Sequence, residues 1–126
     1  MAVKSRKKKI SESPKGKIFI QSTFNNTIIS LTDANGGVLA WETAGHAGFK
    51  GARKSTPYAA QVAMKTIIDK AHQFKMQEAE IYVKGVGSGR ESAVRAIQGS
   101  GIAVSQIKDQ TPIAHNGCRA KKARRV

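Results

Sequence analysis

Apolar residues occur in short runs separated by turn signals, and their spacing changes along the chain. "KIFIQST" and "TIISLTD" are rich in β-branched residues and are separated by "FNN", which predicts two strands and a turn. "DANGG" supplies a second turn, with Asn35 and Gly36 able to take positive φ, and "VLAWET" reads as a third strand. The three form an antiparallel meander. The period then becomes helical. Ser55 or Thr56 is a suitable N-cap, Pro57 suits the first helical position, and Ala60, Met64, Ile67, Ala71 and Phe74 make one apolar stripe. "AEIYVKG" predicts a fourth strand. Ser88 and Glu91 have capping-box spacing and open a second helix with Val94 and Ile97 inward, ended by Gly99 or Gly101. "IAVSQIKD" is the last strand, the end of the core, and Pro112 stops regular structure.

The order βββ-α-β-α-β calls for right-handed crossovers between parallel strands. With strand four beside strand one, the sheet runs 3-2-1-4-5 and only strand two is reversed. Strands one, three, four and five then end on one edge. That edge carries "FNN", the loop "GHAGFKGARK", the loop "GVGSGR" and the C-terminal tail. Open α/β sheets usually bind their ligands there. The N-terminal arm enters from the opposite edge. Three segments are expected: a basic arm over 1–16, one α/β domain over 17–111 and a basic tail over 112–126.

Charge sharpens this picture. The 126 residues carry 22 Lys+Arg against 8 Asp+Glu, a net +14. Residues 1–17 hold seven cations and one acid, and residues 119–126 hold five cations and no acid. The body between them is nearly balanced, so the two ends point to a polyanion partner and should be disordered without it. Cys118 is the sole cysteine, which excludes an internal disulfide and suits a reducing compartment. The longest early charge-free run, residues 18–32, is 15 residues and rich in Asn, Thr and Ser, short of the ~20 of a membrane helix. A cytoplasmic protein with no membrane partner is expected.

The chemistry of sites is sparse. "KGVGSGR" joins a strand to a helix, and its glycines Gly85, Gly87 and Gly89 would let backbone approach a phosphate. It lacks the Gly-Lys-Ser/Thr of a Walker loop, and Arg90 stands where a GxGxxG motif needs glycine. A tight connection needing glycine only for geometry fits the same residues. Lys50, Arg53 and Lys54 precede a helix start and suit phosphate contact. The carboxylates are scattered, unlike those of a metal-dependent nuclease, and His115-x-x-Cys118 is one pair where zinc needs three or four ligands. No metal, cofactor, small-molecule substrate or catalytic residue is expected. Trp41, Tyr58, Phe19 and Tyr82 fall on elements expected to pack, which argues against a base-stacking platform. Phe24 and Phe49, on the edge loops, could stack on bases or anchor their loops. The rival classes are a nucleotide-using enzyme and a nonspecific DNA-compacting protein.

"FNNTIISLTDANGGVLAWETAGHAGFKGARKSTPYAAQVA", "GRESAVRAI" and "DQTPIAHNGCRAKKARRV" together resemble the small-subunit ribosomal protein eleven family, bacterial type, over about residues 15–126. The resemblance implies a non-catalytic, ribonuclease-H-like sheet lacking that enzyme's acids. It implies a place on the platform of the small subunit, bridging 16S-type rRNA helices and helping to form the Shine–Dalgarno cleft. Ribosomal proteins seven and eighteen would be neighbours, with mRNA nearby and an initiation factor as a further candidate partner; an organellar ribosome is the alternative location. Carried over by motif, the RNA-facing positions are Asn25, Asn26, Lys50 to Ser55 (with Arg53 and Lys54), Gly85 to Arg90, and His115, Asn116, Gly117, Arg119, Lys121, Lys122, Arg124 and Arg125. Val86 and Ser88 replace prolines common in the family's glycine loop, and Ala120 replaces another in the tail, departures that predict looser segments.

Overall fold

A computed structural model describes residue 12 and residues 14–125. The elements are β1 (Lys15–Ser22), β2 (Thr27–Asp33), β3 (Val38–Thr43), a 3₁₀ turn (Gly51–Ser55), α1 (Pro57–Gln73), β4 (Glu78–Lys84), α2 (Gly89–Ile97) and β5 (Ala103–Asp109). They build one five-stranded sheet in the order β3-β2-β1-β4-β5, with β2 antiparallel to both neighbours and β4 parallel to β1 and β5. This is the mixed α/β sheet order expected from the sequence. Most of the expected arm lies outside the described residues, but Lys15 and Gly16, assigned to it, already belong to β1. Pro14 is fastened too, its carbonyl accepting from the Gln77 and Glu78 amides.

Register explains the core. Ile18 lies opposite Leu31 and Ile81, and Ile20 opposite Ile29 and Val83, so these six share one face and are buried. Both crossovers advance in the same direction along the sheet, so right-handedness places both helices over that face. There α1 presents Ala60, Met64, Ile67 and Ala71 to the sheet and α2 adds Ala93 and Ile97. Thr56 caps α1 by accepting from the Ala59 amide at 3.2 Å, and Pro57 occupies the first turn.

Four expectations change. Ser88 has helical dihedrals (φ −68°, ψ −18°) and makes no side-chain cap, so the predicted capping box does not form. Only Gly36 of the Asn35-Gly36 pair takes positive φ. β5 is no core strand: it lies at the sheet edge with all seven residues exposed, because α2 packs over β1 and β4 instead. The aromatics are not packed inside either. Trp41 is 52% and Tyr58 65% exposed, while Phe19 and Tyr82 stack on the face opposite the helices.

Removing the centre of the α1 stripe should destabilise the whole sheet. Met64→Ala is expected to cost about 2–5 kcal/mol, read as a lowered urea midpoint with an unchanged slope. A loss under ~1 kcal/mol would mean that the stripe is not the core.

Candidate nucleic-acid interface

Ser22, Thr43, Lys84 and Asp109, the last residues of the four co-directional strands, lie on one edge, and the segments that follow them are bonded together there. The first is the 23–26 turn. Thr23 Oγ1 accepts from the Asn25 and Asn26 amides, and Asn26 Oδ1 accepts from the Thr27 amide at 2.9 Å. Asn26 is therefore committed to shaping the turn, whereas Asn25 and Phe24 project outward.

The 44–55 loop is tied to that turn by the Ala44 amide, which donates to the Thr27 carbonyl. Its other end folds into the 3₁₀ turn, which runs directly into α1. Lys50 and Arg53 are exposed there, with Lys54 and Ser55 half-buried. Cations beside the N-terminus of a 17-residue helix make a local field that attracts phosphate. Phe49 anchors the loop, its ring edge-on to Tyr58 at 5.8 Å. One feature of this loop was missed in the sequence. Glu42 is only 3% exposed, and its carboxylate lies 2.6 Å from His46 Nδ1 and 3.7 Å from Lys70 Nζ. A buried acid bonded to the His46 ring and facing the Lys70 ammonium fixes where the loop begins.

The glycine loop packs closely against the end of β1. Gly85 takes φ +101°, and Gly87 and Gly89 are buried. A methyl group on Gly85 or Gly87 would overlap the Ser22 or Thr23 carbonyl, and one on Gly89 would reach Thr27 Oγ1 and, at 2.8 Å, Ala60 Cβ. These glycines let the loop lie directly on the end of β1. The Ser88 hydroxyl donates to the Ser55 carbonyl, joining the glycine loop to the basic loop.

Arg90 is likewise engaged within the protein. Its guanidinium donates to the Gly85 carbonyl at 2.8 Å and to the Asp109 carboxylate. Asp109 also accepts from the Thr111 hydroxyl at 2.6 Å and amide at 2.9 Å, and Thr111 Oγ1 accepts from the Gly85 amide at 3.1 Å. Those bonds, Thr111's hydroxyl first and then Arg90's guanidinium, hold the Asp109 carboxyl well below the usual carboxylate range. The closed circuit fixes the point from which the tail leaves β5. Beyond it, His115, Asn116, Gly117, Cys118, Arg119, Lys121, Lys122, Arg124 and Arg125 are all exposed and outside any helix or strand. Asn116, at φ +59°, makes a left-handed bend in the tail.

The edge thus separates groups that build it (Asn26, the three glycines, Arg90) from cations that face solvent (Lys50, Arg53 and the tail). Gly87→Ala should lower stability by about 1–3 kcal/mol through overpacking, read by chemical denaturation; a neutral result would mean that the loop is not seated on β1. Asp109→Asn should speed amide exchange at Gly85 and Thr111 several-fold while leaving β1 unaffected. Because Asp109 is depressed in the folded state, its contribution is complete above the unfolded carboxylate value of about 3.9. It disappears as pH falls through the lower folded value, so acid should reproduce the Asn phenotype only below that range. Exchange at both amides equal to the parent's would discard the clasp.

The sequence model described as Ribosomal protein S11 matches residues 16–125, taking in all five strands, both helices and nearly the whole tail. The chain therefore belongs to the ribosomal protein S11 family, the structural, rRNA-binding proteins of the small ribosomal subunit.

Proposed function

We propose that this protein is an architectural tie on the platform of the small subunit, holding separate helices of 16S-type rRNA in fixed relative directions beside the Shine–Dalgarno cleft. Ribosomal proteins seven and eighteen are its protein neighbours there, and mRNA passes nearby. Lys50, Arg53 and the cations between 119 and 125 neutralise phosphates, with Asn25, His115 and Asn116 as hydrogen-bonding contacts. The observation that carries this reading is the convergence of the 23–26 turn, the 44–55 loop and the tail on one edge. The chain preceding β1 enters at the other edge, where Glu12 pairs with Lys75 at 2.7 Å. Two cationic segments entering from opposite ends of a rigid sheet can grip RNA elements that do not touch each other.

Deleting residues 119–126 removes five cations. Each lost phosphate contact should lower the slope of log affinity against log salt by about 0.7–0.9. The deletion should therefore weaken binding to a small-subunit rRNA fragment and flatten its slope by up to about 4. An unchanged slope would remove the tail from the interface.

A further inference from the structure

The helices cover one face of the sheet, and among the described residues nothing covers the other. Register defines a row across this bare face: Trp41 on β3 is opposite Ser30 on β2, Ser30 opposite Phe19 on β1, Phe19 opposite Tyr82 on β4, and Tyr82 opposite Lys108 on β5. Residues in register on neighbouring strands project from the same face. The Phe19 and Tyr82 rings are stacked, with centroids 5.0 Å apart and planes 14° from parallel. Lys17 Nζ lies 5.8 Å from the Tyr82 centroid. The Tyr82 hydroxyl donates to Glu80 at 2.7 Å, which raises its pKa and keeps the ring neutral.

Ser30 leaves a gap in the row. Strands are about 4.8 Å apart, so the β1 and β3 backbones are separated by about 10 Å with only a hydroxymethyl group between them. A flat ring held between two others needs roughly twice the ~3.5 Å contact distance. The strands that carry Phe19 and Trp41 are spaced on that scale, with Ser30 between them. The core makes no demand for aromatics here, because its fully buried members are aliphatic residues and methionine.

We infer that the bare face is a second RNA surface, on which unpaired rRNA bases stack against Phe19, Tyr82 and Trp41 while Lys17, Lys84 and Lys108 take the adjoining phosphates. The inference rests on the rRNA-binding role stated above and adds a mode of contact to it. The chemistry of the face selects this occupant. Its apolar surface is chiefly aromatic and flat, which suits the π-face of any base. Its strands carry four lysines (Lys15, Lys17, Lys84 and Lys108) to two glutamates on this face, Glu78 opposite Lys15 at its far end and Glu80 engaged with Tyr82. The face also joins the basic edge, since Trp41 lies 5.1 Å from the His46 ring at the start of the 44–55 loop.

Trp41 is the sole tryptophan, so its emission reports this face directly. Titrating a single-stranded RNA decamer into the full-length protein should quench that emission saturably. Trp41→Ala and Phe19→Leu should each weaken binding of a labelled decamer about tenfold, with far-UV circular dichroism unchanged. The 119–126 deletion should keep the quench at reduced affinity. Tail-dependent rRNA binding that leaves Trp41 emission unmoved would overturn the platform and spare the architectural role. Quenching by another small-subunit protein but not by RNA would overturn it in favour of a protein-docking face. Failure to bind either the decamer or rRNA would overturn both readings.

Discussion

Parallel pairing of β1 with β4 decides the rest of the molecule. It runs from Lys15 opposite Glu78 to Gln21 opposite Lys84, and it forces a long crossover from β3 that only a helix can fill. A second crossover in the same direction sends α2 to the same side as α1. One face is thereby buried, the other left bare, and four strand ends are gathered on one edge. The register is equally constraining. A slip of one residue would carry Ile18 and Ile20 to the bare face and bring Phe19 under α1, exchanging core and surface throughout β1.

The gathered edge has a difficulty to solve, because loops rich in lysine and arginine repel one another. Its backbone is fixed mostly by neutral bonds: Asn26 to Thr27, Ser88 to Ser55, and the glycine loop against Ser22. An exposed ion pair at this edge, Arg90 with Asp109, stands at the root of the tail and joins a charge-assisted circuit that also uses Thr111 and Gly85. An isolated surface pair adds little, but a pair closed by backbone bonds on both sides fixes a direction. The cations left outside these bonds can then lie close together on a frame that does not depend on them.

Much of this was legible from the residues. The 3.6-residue stripe of α1, the Thr56-Pro57 start and the β-branched runs led to the correct strand order, and that order alone placed the loops on one edge. What could not be read depends on contacts distant in sequence. "VLAWET" puts Leu39 and Trp41 on one set of alternate positions and Ala40 and Glu42 on the other, which reads as Trp41 inward. An irregular register at Leu31 and Thr32, together with Lys70 and His46 waiting for the carboxylate, reverses that: Glu42 is buried and Trp41 is not. The bond from Arg90 to Asp109 was not legible because the two are 19 positions apart, and nothing local links them. The glycine loop satisfied both readings of its sequence equally. The nearness of the Ser22 and Thr23 carbonyls, which makes glycine necessary for packing, could not be read from the sequence.

In the roles proposed for them, the bare face and the tail act on RNA over different distances. Exposed cations in water at physiological salt are felt to about 8 Å, and a net charge of +14 steers the chain toward phosphate with little regard to sequence. Stacking is felt only at contact and requires a base free of its helix. Charge therefore governs encounter, and the face then distinguishes an rRNA site that offers an unpaired base from uninterrupted duplex. A protein with the tail alone would bind many helices about equally well. The rigid sheet links the two by setting the position of the bare face relative to the point where the tail leaves Thr111. An RNA that satisfies both must present its phosphates and its unpaired base at that fixed separation, and selectivity then comes from geometry without reading a single base edge.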